Sequence, residues 1–224
     1  MTPLPSQAQP RSIRASGFSL VEMAIVLVIF ALLAGGLMMT LTTQQEIQRL
    51  SEARRQLADI REALLGYAVI NGRLPTPADP SIASGSANAG IAATTLTSGV
   101  LPWATLGLPE TDPWGQRFTY RVDATFASAF TLATPGASTF KVTDGAVNIA
   151  TNLPAIVISH GRNGLGGYRS TGTQVPNAAG DELLNTTGTP NFVSRTHTPD
   201  FDDEVVWVPL PILMSRMITA GRLP

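Results

Sequence analysis

The chain has 224 residues, with 15 basic and 16 acidic side chains, no cysteine and a formal net charge of −1. The absence of cysteine excludes a disulfide scaffold and a cysteine zinc site, and a near-neutral chain lacks the basic excess that binding to nucleic acid draws on. The charged fraction is 14% against roughly 25% in ordinary soluble domains, and the many strand formers argue against global disorder.

Much of the apolar content sits in one block. Between Arg14 and Glu46 the single charge is Glu22. The run Phe18–Leu41 has 24 residues, about 36 Å of helix at ~1.5 Å per residue, enough for a bilayer core of roughly 30 Å. Arg11 and Arg14 precede it with no acid, so the positive-inside rule places residues 1–17 in the cytoplasm and sends the C-terminal part outward. A secretory signal peptide has a shorter apolar region, about 7–15 residues. A plain anchor accounts for length and orientation but gives no reason for Glu22, since a carboxylate at the centre of a span costs about 2.5 kcal/mol or more. Gly35-Gly36 lie mid-run and weaken the helix by roughly 1 kcal/mol each. They read as a place for local melting or close helix packing, or as glycines tolerated because lipid enforces helicity.

Gly17-Phe18-Ser19-Leu20-Val21-Glu22 resembles the processing site of type IV pilins and type II secretion pseudopilins. The resemblance implies that a prepilin peptidase cuts after Gly17, that the new amine on Phe18 is methylated, and that Glu22 is the acidic residue this family uses in assembly. It implies three sets of partners: that peptidase, other pilin or pseudopilin subunits in a homo- or hetero-polymer, and an inner-membrane assembly platform. The Glu22 carboxylate then pairs with the Phe18 amine of a neighbouring subunit, a contact that fixes register more than it adds stability in an apolar bundle. Cleavage removes Arg11 and Arg14 and takes the formal charge from −1 to −3.

After Thr43 the pattern becomes amphipathic. Leu50, Ala53, Leu57, Ile60, Leu64 and Tyr67 recur at intervals of three and four, which marks one buried helical face. Asn71-Gly72 gives a stop, with Pro75 and Pro77 behind it. One helix is predicted over 18–70. Residues 73–110 are rich in Pro, Gly, Ala, Ser and Thr and read as a long loop, with a short helical turn packing Trp103 and Leu106 inward.

Thr111-Asp112-Pro113-Trp114-Gly115 reads as a turn, with Trp114 in the core. It is followed by alternation that places Phe118, Tyr120 and Val122 on one strand face. This piece is similar to the corresponding turn and first strand of the major pseudopilin. Weaker strands are predicted at 126–132, 140–142 and 147–149, and Ala155–Ser159 reads as a buried strand. Ser159-His160-Gly161-Arg162-Asn163-Gly164 lacks the ending of a Walker loop, and adjacent Ser159 and His160 diverge on a strand. There is no Gly-x-Ser-x-Gly elbow either, so an enzyme is not expected.

That stretch resembles the pseudopilin loop around Ser159, Gly161 and Gly164 which, with a downstream acidic turn, binds calcium. The resemblance makes Asp200, Asp202 and Asp203 the candidate calcium ligands. Calcium takes about six to eight oxygens, so backbone carbonyls of the loop would have to contribute. The same acids also read as a solvated, turn-forming cluster. The departure from the family is a stretch of roughly thirty residues, 168–199, between loop and acidic turn. His160 and His197 cannot complete a zinc site unless carboxylates join them, and read as structural. Val205–Val208 reads as a strand and 212–221 as a short terminal helix.

The expected fold is α+β and pilin-like: a long N-terminal helix, transmembrane then amphipathic, packed on a small antiparallel sheet head with long loops. The segments are a leader over 1–17, a membrane and assembly helix over 18–43, an amphipathic helix over 44–71, a connecting loop over 72–110, a sheet over 111–160, a loop region with a calcium site over 161–204, and a terminal strand and helix over 205–224. The expected protein is a non-enzymatic assembly subunit of the bacterial inner membrane, single-pass, with its leader cytoplasmic and its head periplasmic. The rivals are a minor pilin acting as a tip adhesin or in DNA uptake, and an anchored binding module that never polymerises.

Overall fold

A computed structural model describes residues 17, 19–132, 134, 138–186 and 188–223, with the backbone alone given for 34–42. The leader 1–16 and Phe18 lie outside these residues. The chain divides into two compact units, Met1–Glu46 and Ile47–Pro224. Helix α1, Leu20–Asn71, contributes to both and has no proline in its 52 residues. It ends where Gly72 takes a left-handed φ of 72° and its N–H bonds the Ala68 carbonyl at 2.8 Å, a conformation glycine adopts without steric cost.

In the first unit every side chain from Ser19 to Leu33 is exposed. Among the described residues no helix is long and apolar enough to cross a membrane. The described apolar stretch Leu20–Leu33 gives about 21 Å of helix at ~1.5 Å per residue, short of a ~30 Å core. The span expected over 18–43 is therefore not met within the described residues; Phe18 and the side chains of 34–42 fall outside them.

The second unit is layered. The α1 face formed by Ala53, Leu57, Ile60, Leu64, Leu65 and Ala68 is buried, and each fully buried Leu or Ile contributes about 1.5–3 kcal/mol. Against it lies a four-stranded antiparallel sheet in the order β1 (Ser98–Val100), β3 (Thr119–Val122), β6 (Ala155–Ser159), β9 (Glu204–Val208). Tyr120, Val122, Val157 and Val208 pack on the α1 side with Leu213 and Met217 of α4 (Leu210–Thr219). Ile156 and Ile158 face the other way. They meet Phe140, Val142 and Phe192 of a second sheet in the order β5 (Asn148–Thr151), β4 (Lys141–Thr143), β8 (Asn191–Val193). Strand β8 joins β4 in parallel. A small pair, β2 (Gln116–Arg117) with β7 (Tyr168–Arg169), stands beside these sheets in the chain's topology.

Several sequence expectations are corrected. Strand 116–122 is broken at Phe118 into β2 and β3, and β3 is buried on both faces because α1 covers one side of its sheet and the second sheet the other. Residues 126–132 form no strand. The Asp123 carbonyl accepts from the N–H groups of Phe126 and Ala127, which turns the chain, and Phe126 packs edge-on against Phe130 at 5.2 Å. The 72–110 loop contains β1 besides the short helical turn expected there, α2 (Trp103–Leu106). Trp103, Leu106 and Trp114 are half-buried rather than central. The 161–204 region holds β7, α3 (Gly180–Thr186) and β8.

Candidate functional site

Two places carry the residues singled out from sequence. The first is the start of α1. Ser19 stands at the N-cap position, where its Oγ accepts from the Glu22 N–H at 3.2 Å while Glu22 Oε2 accepts from the Ser19 N–H at 3.3 Å. This reciprocal pair is a capping box, which satisfies two otherwise orphaned N–H groups and brings a carboxylate to the positive end of the helix dipole. The four residues Ser19-Leu20-Val21-Glu22 carry the Ser-x-x-Glu signature of that box, an intramolecular role for Glu22 missed in sequence reasoning. Gly17 is exposed.

The second place is where β6 ends. Ser159 and His160 are both buried and diverge as anticipated. Ser159 Oγ donates to Asp112 Oδ2 at 2.6 Å, and Asp112 Oδ1 accepts from the Trp114 and Gln116 N–H groups at 3.0 and 2.9 Å. Burial pushes the Asp112 carboxyl above its ordinary range, and these hydrogen bonds oppose the shift. His160 Nε2 lies 2.7 Å from Thr119 Oγ1, and its Nδ1 lies 3.4 Å from Asp203 Oδ1. The chain then turns through Gly161 (φ 58°) and Gly164, whose N–H bonds the His160 carbonyl at 2.9 Å. A Cβ on Gly161 would collide with the carbonyl and the carboxylate of Asp202. Only glycine lets this loop lie directly on the acidic turn.

The acidic turn itself is reorganised relative to expectation. Asp202 and Asp203 cluster with Glu182, their nearest carboxylate oxygens all within 4.8 Å of one another. Asp200, predicted as the third acid, is exposed and lines a cleft of about 420 Å³ beside Asp181, Glu182 and Arg195. Asn163 braces the cluster: its N–H donates to Asp202 Oδ2 at 3.0 Å and its Nδ2 to Glu182 Oε1 at 2.7 Å. Asn185 Nδ2 donates to Asp203 Oδ2 at 2.7 Å. Asp202 Oδ1 and Asp203 Oδ1 are buried without a hydrogen-bond partner, and the Asp203 side chain has no solvent exposure. Desolvation pushes the Glu182 and Asp202 carboxyls above their ordinary range, and the Asp203 charge adds to both shifts. Orphaned buried carboxylate oxygens beside a second and third carboxylate are a hard, all-oxygen donor set. That fits calcium rather than a soft transition metal.

Two buried arginines were not singled out from sequence. The Arg117 guanidinium donates to the carbonyls of Pro80, Ile82 and Ser170 at 2.9–3.0 Å, pairs with Glu110 at 2.8 Å and stacks on Trp103. Arg121 lies against the rings of Phe140 and Phe192 and donates to the carbonyls of Gly188 and Thr189 at 3.1 and 3.0 Å. It fastens β3 to the segment inserted before the acidic turn. Their alternation with Phe118 and Tyr120 is the same in a strand covered on both faces as in one covered on a single face, so position alone could not reveal them.

A long N-terminal helix, a head sheet backed by its second half, and a processing-type sequence at its start define a pilin-like class of protein. Residues 13–38 match the prokaryotic N-terminal methylation motif, and residues 40–152 match type II secretion system (T2SS), protein G. The chain belongs to the type IV pilin and pseudopilin family, a family of structural subunits. No curated protein and no solved structure matches it. The family match ends at 152, before β6, the 168–199 segment and the acidic turn.

Proposed function

We propose that this protein is a pseudopilin or minor pilin, processed between Gly17 and Phe18 by a prepilin peptidase and polymerised through α1 in a type II secretion or type IV pilus machine. The observation that carries this reading is the N-terminal motif placed directly ahead of a helix whose described apolar side chains, Leu20 to Leu33, are all exposed. Fifteen consecutive exposed side chains from Ser19 onward, nearly all apolar, have no place in water. Lipid before assembly and neighbouring helices after it give them one. In this reading the leader is cytoplasmic, the helix is held in the bacterial inner membrane and the head is periplasmic. Glu22 first caps its own helix through Ser19, and the same carboxylate then receives the Phe18 amine of a neighbouring subunit, which sets the axial step. A lone cation and a lone carboxylate in an apolar bundle are each costly, so subunits slipped from this register are disfavoured.

The head contributes a cation site at the Asp202–Asp203 turn against the loop that begins at Ser159. Calcium bound there supplies positive charge to buried carboxylate oxygens that otherwise repel one another. Asp203 offers Oδ1, Asp202 offers Oδ1, Gly161 admits the close approach of the two segments and Asn163 holds the turn in place.

The N-terminus of membrane-extracted protein, read by mass spectrometry in cells with and without a prepilin peptidase, tests the assignment. The expected result is N-methylated Phe18, dependent on the peptidase. A chain starting at Met1 or Thr2 in both strains would refute it and leave an ordinary anchored protein.

A further inference from the structure

The inserted segment between β7 and β9 has its own local order. Helix α3 is tied to β8 through Asn185, whose Nδ2 donates to the Val193 carbonyl at 3.0 Å while its Oδ1 accepts from the Val193 N–H at 2.8 Å. Strand β8 extends the second sheet beside β4, and Arg121 holds the Gly188 and Thr189 carbonyls. The segment is thus well fastened at its β8 end. The other end is held differently. Gly166 (φ 82°) passes so close to α3 that a Cβ there would strike Thr186, and Glu182 is turned inward from the first turn of α3 to be 2% exposed. Its Oε1 accepts from Asn163 Nδ2 and, at 3.3 Å, from the Asp202 N–H. A buried glutamate carried toward two aspartates works against folding unless something positive joins them. The Asp203 carboxylate has no solvent exposure, and its Oδ1 has no hydrogen-bond partner, with His160 Nδ1 standing off at 3.4 Å and likewise without one.

We infer that the insertion is part of the cation site: Glu182 supplies a third carboxylate from α3, and a bound divalent cation, calcium by donor type, clasps α3 to the Asp202–Asp203 turn. This rests on the cation reading above and adds to it a ligand that lies outside the acidic turn and outside the family match. The site would then join three stretches of chain: the loop after β6, the insertion and the turn leading into β9. Without the cation the three clustered carboxylates repel, and the load falls on the first turn of α3, held otherwise by the Asp181–Arg195 pair at 2.7 Å, while Asn185 and β8 retain its far end.

The test uses the full chain in detergent, freed of divalent ions and titrated with calcium chloride. It compares the wild type with Glu182→Gln, Asp203→Asn and Asp200→Asn, reading the melting temperature and hydrogen exchange over 176–186. Gln keeps the shape of Glu182 and its carbonyl can still accept from Asn163. The expected results are that Glu182→Gln weakens calcium affinity about tenfold or more, in keeping with affinity following ligand charge, and removes the calcium-induced protection of 176–186. Asp200→Asn leaves affinity within about twofold. In calcium-free buffer Glu182→Gln melts at or above the wild type, because a repelling charge has gone; a merely structural glutamate would give the opposite sign. Wild-type affinity in Glu182→Gln, or a lower calcium-free melting temperature, overturns the inference while the cation reading stands. No calcium response in the wild type overturns both.

Discussion

The two halves of α1 share one backbone geometry and obey opposite burial rules. From Leu20 to Leu33 every side chain is exposed, Leu20 at 91% and Phe30 at 69%. From Ala53 to Ala68 the stripe Ala53, Leu57, Ile60, Leu64 and Ala68 is almost wholly buried by the head. The first half is apolar apart from Glu22 and has no preferred face, so what it needs is an apolar surrounding. The second half alternates at helical spacing, and its partner is the protein's own sheet. One helix therefore carries two solvents in its sequence, which is the physical content of a subunit that folds by itself at one end and assembles at the other.

Paired truncations break this comparison most sharply. Leu64→Ala removes a fully buried side chain and is expected to cost about 2–5 kcal/mol. In a domain of this size that lowers the melting temperature by roughly 2–4 °C per kcal/mol. Leu27→Ala, on the exposed half, leaves the head transition within about 0.5 kcal/mol and lowers recovery in the membrane or polymer fraction instead. Equal effects on the head from both substitutions would erase the distinction.

The proposed cation site sharpens the comparison next, because only the head is expected to respond. With free calcium at about a hundred times its dissociation constant, the linkage gain is about 2.7 kcal/mol. That raises the head melting temperature by roughly 5–10 °C at the same scale, and a chelator reverses it. Hydrogen exchange over 20–46 is expected to be indifferent to calcium, which makes it the internal control.

The Asp112 turn gives a smaller effect with a definite sign. Asp112→Ala removes the acceptor for Ser159 Oγ and two backbone N–H groups and is expected to cost about 2 kcal/mol. Because burial raises the Asp112 pKa in the folded state, folding favours its protonated form. That contribution is fully present below the unfolded value near 4 and is lost as pH rises through the folded value. Asp112→Asn keeps the two backbone acceptor contacts and is uncharged, so its stability curve lacks that decline. Urea titrations of both proteins between pH 4 and 7 read the difference in slope.

Legibility followed the range of the interactions. Helix α1 was readable because its signals are local: no proline, a three-and-four stripe, and Asn71-Gly72 at the end. Strand β6 was readable because a run of Ala, Ile and Val bounded by Pro154 and a glycine-rich loop needs no partner to be recognised. The inserted segment was opaque. Strand β8 has three residues and α3 has seven, and both are held by residues distant in sequence, Arg121 and the parallel register with β4. The candidate site was half-legible for the same reason. Asp202 and Asp203 are neighbours and announced themselves. Asp200 was chosen with them for sequence proximity, but it is Glu182, 20 residues before Asp202, that the fold brings in. Residues 126–132 misled because their aromatic content reads as a strand, whereas Asp123 turns the chain with local hydrogen bonds that periodicity does not register.

The smallest expected effect tests how the buried half of α1 is tied to the strand that follows the acidic turn. Arg54 donates from Nε and Nη2 to Glu204 Oε1 at 3.0 and 2.7 Å, and His197 Nε2 lies 3.0 Å from the same oxygen. The pair is asymmetric: the Arg54 side chain is 60% exposed and Glu204 only 15%. Solvent on the arginine side screens the attraction, so Arg54→Ala is expected to cost about 0.5 kcal/mol, with little left at molar salt, where the Debye length is only about 3 Å. Glu204→Ala is expected to cost more, because it strips the partner from both Arg54 and His197. The effect of Arg54→Ala/Glu204→Ala minus the sum of the two single effects gives the coupling. If that coupling persists in high salt, the bridge is more sheltered than its exposure implies and contributes to fastening α1 beyond the apolar stripe. If it vanishes, the stripe from Ala53 to Ala68 holds the helix without electrostatic help. The contrast between the two halves of α1 is then one of apolar contact alone.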